Sequence, residues 1–369
     1  MRIMVSAGEV SGDLHGSFLV KELKKLRPDL SFFGIGSERL AAAGVDIKID
    51  LTKRSSVGMF EALPNVLPIF SAFQKIKKLI LAEKPDLVIL IDSQGINMPL
   101  ARFCKKRGIK TVYYIAPQEW LWGTNKGVIN VARTVDLIVA IFEKEYNIYK
   151  AAGANAVYFG HPLIDIVRPS SIVSRSEQTT VSLCPGSRRQ EIDSLLPILL
   201  KTGELIKKEF PAARFIMPVA STKISAMIAS RLSDFKPAMT IGRTYDDLFS
   251  SDLAICASGT INLEAAILGV PNFMVYKLSP LSYFIGKYVL KVDKKIKYFS
   301  MPNILLDELV IPEFTMRDAN PEKIAAAAVA LLNDKAQQLK IKSAFARLVG
   351  RLGAPGVIAR AAQAILNML

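Results

Sequence analysis

The sequence predicts an α/β protein built from two doubly wound, Rossmann-like domains that face each other across a cleft. Three observations carry this. Short apolar runs of strand length alternate with stretches of helical periodicity along nearly the whole chain. The alternation breaks once, between His161 and Thr180, where Pro162, Pro169 and a serine-rich run read as a linker. A chain of 369 residues, half of them hydrophobic, is long enough to bury two cores.

Taken in order, residues 3–6 read as a strand. Residues 11–26 read as a helix, with Leu14, Phe18, Leu19, Leu23 and Leu26 forming its apolar stripe. Residues 32–36 and 45–49 are short strands. Residues 87–91 are apolar without interruption, as suits the centre of a parallel sheet. A helix at 99–107 and strands at 111–115, 137–141 and 157–159 complete the first half. The second half opens with a strand at 181–184 and a helix at 192–210. Strands at 214–217, 239–241 and 253–256 follow, then a helix at 260–268 and a strand at 273–276. Asn320 followed by Pro321 is an N-cap and a first-turn proline, opening an alanine-rich helix. Val357, Ile358, Ala361, Ala362, Ile365 and Leu366 form the stripe of a last helix. The expected domains are residues 1–165 and 166–345, with terminal helices at 346–369 that return to the first domain.

The formal net charge of +15 favours anionic partners. Nucleic acid is not expected, because the basic residues are dispersed and no zinc-finger or RRM spacing occurs. Cys104, Cys184 and Cys256 are far apart in sequence and make neither a disulfide framework nor a metal cluster. With His15 and His161 as its only histidines, the chain is expected to hold no multi-histidine metal site, and no cofactor is expected. No apolar stretch reaches the roughly 18 residues of a spanning helix. The expected location is the cytoplasm, with contact to a membrane surface.

Four strand-to-helix turns hold the chemistry. Pro185 and Gly186 end one strand, and Ser187 with Gln190 three positions on has capping-box spacing. Arg188 and Arg189 then sit in a first helical turn, where cations are unfavourable unless an anion binds, so Gly186, Ser187 and Arg188 suggest a phosphate cradle. Ser258, Gly259 and Thr260 repeat this logic, with Glu264 one turn further, placed to accept a ribose hydroxyl. Two such turns in one half suggest a nucleoside diphosphate. Asp92 ends the central strand, at the sheet edge where ligands bind in such folds, and could serve as a general base or simply as a turn residue. Gly8, Glu9 and Ser11 follow the first strand and allow a ligand to approach the backbone. Met59, Phe60, Leu63, Leu67, Phe70 and Phe73 form an apolar face followed by Lys75, Lys77 and Lys78. That face suits acyl-chain or membrane contact, or a helix packed in the core. A second basic run holds Lys291, Lys294, Lys295 and Lys297.

Taken together these stretches resemble the lipid-A-disaccharide synthase family. The matching pieces are residues 7–16, Pro85 and Asp86 leading to Asp92 and Asn97, and residues 114–122. They continue with Phe159 to Pro162, Pro185 to Arg188 with Glu191, Ala257 to Thr260 with Glu264, and Pro302 with Asn303. The resemblance implies a GT-B glycosyltransferase. It implies transfer of 2,3-diacylglucosamine from its UDP derivative to the 6-hydroxyl of 2,3-diacylglucosamine 1-phosphate, with inversion and without a metal. It further implies work at the inner face of the cytoplasmic membrane as a peripheral protein. By position, Asp92 is the implied general base and Arg188 the group that neutralises the leaving diphosphate. Ser258, Gly259, Thr260 and Glu264 are the implied nucleotide-holding segment. Gly8, Glu9, Ser11 and Asn303 are implied on the acceptor side. The commonest family pattern is absent at three places: Asp92 is followed by Ser93, Gln94, Gly95 and Ile96, Gln118 and Glu119 precede Trp120, and Ser37 follows residues 32–36 where a further glycine is often seen. Other GT-B UDP-sugar enzymes, a peptidoglycan N-acetylglucosaminyltransferase or an epimerase, and a non-catalytic nucleotide-sugar binder remain alternatives. The oligomeric state, monomer or homodimer, stays open.

Overall fold

The structure is a computed structural model that describes residues 1–51, 66–170, 177–232, 234–277 and 297–369. It divides into two compact units.

In the first unit, β1 (Arg2–Ala7), α1 (Val10–Leu26), β2 (Ser31–Ile35), α2 (Glu38–Ala42) and β3 (Val45–Ile49) make one wing. Then α3 (Val66–Glu83) leads to β4 (Leu87–Ile91), α4 (Gln94–Lys105), β5 (Lys110–Tyr114), α5 (Glu119–Trp122), α6 (Asn125–Thr134), β6 (Leu137–Ala140), α7 (Glu143–Ala151), β7 (Ala156–Tyr158) and α8 (Leu163–Ile166). The seven strands are parallel, in the order β3-β2-β1-β4-β5-β6-β7. All of β4 is buried, as its unbroken apolar run requires. Helix α4 begins five residues before the expected start, and Pro99 lies inside it. A proline at that position removes only the hydrogen bond to the carbonyl of Gly95, which is exposed and can be hydrated.

The second unit runs from β8 (Thr180–Cys184) and α9 (Arg189–Glu209) through β9 (Arg214–Val219), α10 (Thr222–Ala229), β10 (Ala238–Ile241) and α11 (Thr244–Phe249). It continues with β11 (Leu253–Ala257), α12 (Thr260–Ile267), β12 (Asn272–Tyr276), α13 (Met301–Leu306), β13 (Glu313–Thr315), α14 (Pro321–Asn333) and α15 (Lys335–Arg351). Its strand order is β10-β9-β8-β11-β12-β13, again parallel. Asn320 caps α14, its side chain accepting the Lys323 amide at 3.1 Å.

The chain then returns. Residues Leu352–Leu369, with α16 (Val357–Leu366), belong to the first unit, where α16 packs on α1. Asp165 fixes the return by accepting the amides of Gly356 (2.7 Å) and Ile358 (2.8 Å) at the start of α16. Residue 346, where the terminal segment was expected to begin, lies within α15, and the change of unit falls at Leu352.

Of the expected acyl-chain face, Met59, Phe60 and Leu63 lie outside the described residues, as do the side chains of Leu67 and Phe70. Phe73 is half-buried and packs on the first unit's core, with the Lys77 ammonium 4.6 Å from its ring centre. Lys291, Lys294 and Lys295 also lie outside, while Lys297 pairs with Asp307 at 3.1 Å. Among the described residues no helix is long and apolar enough to cross a membrane.

Candidate active site

In the first unit the chain leaves β1 for one wing and returns at β4 to build the other. The carboxyl ends of β1 and β4 therefore form the point where strand order reverses, the position at which open α/β sheets bind ligands. Gly8 and Asp92 follow these two strands. The turns touch: a Cβ on Gly8 would lie 2.9 Å from Ser93 Oγ. Gly8, Glu9, Ser11 and Asp92 are thus brought to one sheet edge.

The backbone of Asp92 is held in an unusual shape. Asp92 and Ser93 have φ of 51° and 47°, and Ile115, which follows the neighbouring strand β5, has φ of 61°. Left-handed backbone is unfavourable for a β-branched residue and persists only where its surroundings enforce it. Here the Asp92 amide donates to the Ile115 carbonyl at 3.2 Å. The Asp92 carbonyl accepts Tyr113 Oη and Asn97 Nδ2, both at 2.8 Å. Asn97, fully buried, also accepts Ser6 Oγ at 2.6 Å. These bonds clamp the main chain and leave the carboxylate on a partly exposed residue.

A rim of aromatic and acidic groups continues from this turn. Gln94 donates to Glu119 Oε1 at 2.7 Å, and Glu119 Oε2 accepts the Thr124 amide at 3.2 Å. Two of the three departures from the commonest family pattern, at Gln94 and Glu119, are therefore hydrogen-bonded to each other. Trp120 packs edge-on to Phe142, Phe142 lies 5.0 Å from His161, and His161 lies 6.2 Å from His15. Both histidines are buried. Burial pushes His15 down to about 4 and His161 well below its usual value, the latter also through His15's positive charge. Both are neutral at pH 7, and His161 Nδ1 accepts the Leu163 amide at 3.2 Å. His161 is part of the packed interior.

The second unit repeats the topology. Its reversal lies between β8 and β11, where Cys184 stands directly opposite Cys256. The two turns that suggested phosphate binding follow these residues. They differ in one respect. At α9 the cap is shifted by one residue from the expected Ser187 and Gln190 pair: Arg188 is the N-cap and Glu191 the third helical residue. Glu191 Oε2 accepts the amides of Ser187 (3.2 Å) and Arg188 (3.3 Å), while Oε1 takes Arg188 Nη1 at 2.8 Å. The longer glutamate reaches back over the turn, and Gly186 makes room for it, since a Cβ there would lie 2.5 Å from Glu191 Oε2. The chain's own carboxylate thus occupies these two amides. At α12 the N-terminus is open. Gly259 is the N-cap, no side chain caps the helix, and Gly259 and Thr260 are exposed. Of the two turns, this one presents helix-dipole charge to an incoming anion. Glu264 is buried on the same helix.

Asn303, expected on the acceptor side, lies on α13 against the segment before β13. It is fully buried, donating to Ile311 O and Glu313 Oε1 and accepting the amides of Val310 and Ile311, all within 3.0 Å. All four of its hydrogen-bonding positions are used, so its side chain ties α13 to the segment before β13.

The lipid-A-disaccharide synthetase family model matches residues 3–368. A lipid-A-disaccharide synthase from Geobacter metallireducens is 40% identical over 380 residues, covering 100% of this chain and 97% of that protein. Among solved structures, a UDP-GlcNAc 2-epimerase from Methanocaldococcus jannaschii, in complex with UDP-GlcNAc and UDP, matches with TM-score 0.64 at 15% identity, covering 100% of this chain and 99% of the other. The spinosyn rhamnosyltransferase matches with TM-score 0.61 at 12% identity and full coverage of both. The fold is that of GT-B glycosyltransferases and epimerases.

Proposed function

Because the chain belongs to the lipid-A-disaccharide synthase family, and is therefore a hexosyltransferase of lipid A biosynthesis, we propose a division of its chemistry between the two units. The first unit binds the acceptor, 2,3-diacylglucosamine 1-phosphate, beside Gly8, Glu9 and Ser11, and supplies Asp92 as general base. The second binds UDP-2,3-diacylglucosamine through Ser258, Gly259, Thr260 and Glu264, with Arg188 at the diphosphate.

The reaction is one in-line displacement. The acceptor 6-hydroxyl oxygen forms a bond to the sugar C1 as the bond from C1 to the diphosphate oxygen breaks. The hydroxyl proton passes to Asp92, and the electron pair departs with UDP. Negative charge on the leaving diphosphate grows toward the transition state, so a fixed guanidinium and an open helix N-terminus stabilise that state more than the ground state. An α-linked donor then gives a β-1,6-linked product. The diphosphate meets the open start of α12, and the side chain of Arg188 reaches it from a turn whose amides Glu191 already holds.

What supports this reading above all is the clamped, left-handed turn that holds Asp92 at the switch point of the sheet. Asp92→Asn tests it. Transfer should fall by about 10²–10⁴-fold while UDP affinity is kept, and an unchanged rate would remove Asp92 as base. We further propose peripheral association with the inner face of the cytoplasmic membrane through the segment from Val57 to Phe73 and its following lysines. Replacing Leu67 and Phe70 by Ser should then lower binding to anionic vesicles and raise KM for acylated acceptor.

A further inference from the structure

The edge of the first sheet that carries Asp92 is acidic. Glu9 follows β1, Asp92 follows β4, Glu119 opens α5 and Glu143 opens α7. A phosphorylated acceptor at such an edge needs a cation to offset its charge. On the wing that runs from β4 to β7, the helices at this edge present two among the described residues: Lys126 in the first turn of α6 and Lys144 in the first turn of α7. Both are exposed, and neither pairs with a carboxylate among the described residues.

The two lysines differ in how they are held. The Lys144 ammonium lies 5.9 Å from the centre of the Trp120 ring. That ring is fixed in turn: it packs edge-on to Phe142 at 5.6 Å, its Nε1 is buried, and α5 packs against α7. Attraction to an indole face gives an otherwise mobile lysine a preferred direction. Lys126 has no such ring beneath it among the described residues. The same indole is tied to the Asp92 turn. Glu119, the residue before Trp120, accepts Gln94 Nε2 at 2.7 Å, and Gln94 stands two residues after Asp92. The strands set the spacing. The Asp92 amide donates to Ile115 O at 3.2 Å and the Ile115 amide to Val139 O at 3.4 Å, so the ends of β4, β5 and β6 are consecutive. At about 4.8 Å per strand, the ends of β4 and β6 stand roughly 10 Å apart. Helix α7 begins three residues after β6.

We propose that Lys144 binds the 1-phosphate of the acceptor, with Trp120 as the platform that aims it. This rests on the reading of the first unit as the acceptor side and of Asp92 as base. The 6-hydroxyl and the 1-phosphate stand at opposite ends of one pyranose ring. With the hydroxyl at Asp92, the phosphate falls a sugar's length along the edge, past Gln94 and Glu119 toward Trp120 and Lys144. Glu119, which would repel a phosphate, has both oxygens engaged, Oε1 by Gln94 and Oε2 by the Thr124 amide. An ammonium meets a phosphate as a point charge and tolerates a range of approach angles, as a site at an exposed rim requires. The consequence is selectivity: a phosphorylated sugar is accepted in preference to the same sugar without its phosphate.

The test compares two acceptors in the full chain with Asp92 intact: 2,3-diacylglucosamine 1-phosphate and 2,3-diacylglucosamine without the phosphate. The unmodified protein should prefer the first in kcat/KM. Lys144→Gln should lower that preference about tenfold, mostly through KM for the phosphorylated acceptor, and Lys144→Arg should retain it. Because the contact is exposed, added salt should lower the preference of the unmodified protein and change that of Lys144→Gln far less. Lys126→Gln removes the same charge from the same edge and should leave the preference in place. A lysine that merely props Trp120 would slow both acceptors alike, so an unmoved ratio in Lys144→Gln overturns the proposal. Equal losses in Lys126→Gln and Lys144→Gln also overturn it, since they report a general field instead of a site. An unmodified protein with no preference does the same. Persistence of transfer in Asp92→Asn would instead sink the base assignment and leave the acceptor ratios standing, so the two failures are distinct.

Discussion

The main-chain amide of Asp92 donates to the carbonyl of Ile115 at 3.2 Å, and both residues hold left-handed backbone. Two neighbouring strands therefore end in the same strained shape, locked to each other. The strain is stored at the residue proposed as the base.

Ser93 shares that strain, with φ of 47° and a buried Oγ that has no partner among the described residues. Ser93→Gly relaxes the backbone and removes an unsatisfied hydroxyl. It should stabilise the protein by about 1 kcal/mol, a rise of roughly 2–4 °C in Tm, and lower kcat several-fold by loosening Asp92. Thermal unfolding and steady-state kinetics read the two effects separately. A faster, less stable variant would contradict this account.

Gln94 and Glu119 tie the turn after Asp92 to the segment carrying Trp120. Because the pair is exposed, its coupling in a double-mutant cycle with alanine should be small, about 0.5–1 kcal/mol. It should appear in KM for the acceptor and leave UDP affinity alone. Additive single effects would show that the bond contributes nothing.

Glu191 sits as a resident anion on the Ser187 and Arg188 turn. Glu191→Gln removes a negative charge from beside the guanidinium. UDP should bind about tenfold more tightly, by about 1.4 kcal/mol, and leave more slowly. Weaker binding by calorimetry would show instead that Glu191 serves to aim Arg188.

His15 sets an acid limit on stability. Its pKa is about 4 in the fold, below the ordinary value of 6.5, so between those values the unfolded chain binds the extra proton. The stabilisation is complete above pH 6.5 and is lost as pH falls toward 4, by about 3 kcal/mol. Glu145, raised to about 8, has the opposite sign and favours the folded state as pH falls from 8 toward 4.5. Comparing His15→Leu with the unmodified chain cancels the Glu145 contribution. Urea midpoints at pH 4.5 and 7 should then differ less in the variant.

The strands were legible because burial on both faces of a parallel sheet demands unbroken apolar runs, as in residues 87–91. The edge strand β13 was not, since Glu313, Phe314 and Thr315 make no such run and are defined only by pairing with β12. The start of α4 was missed because Pro99 reads as a first-turn proline. The place of Asp92 at a strand end was legible, while a role for it as base comes from the family resemblance. The clamp around it was not: Tyr113, Asn97 and Ile115 act through the adjacency of β4 and β5, which only the sheet order reveals. The hydrogen bonds of Asn303 were hidden for a similar reason. A polar residue within a recognisable stretch looks the same in sequence whether it faces a ligand or, as here, Ile311 and Glu313.

The return of α16 to α1 has a consequence during synthesis. The part of α1 that α16 covers is made among the first residues and its cover among the last, with all of Val167–Arg351 between them. At ribosomal speeds of about 5–20 residues per second, the segment Val167–Arg351 alone keeps that surface waiting roughly 10–40 s. The second unit can fold as it emerges. The first unit, with its clamped Asp92, reaches its final packing only once α16 has emerged, so until then a nascent chain exposes an unfinished apolar face to chaperones.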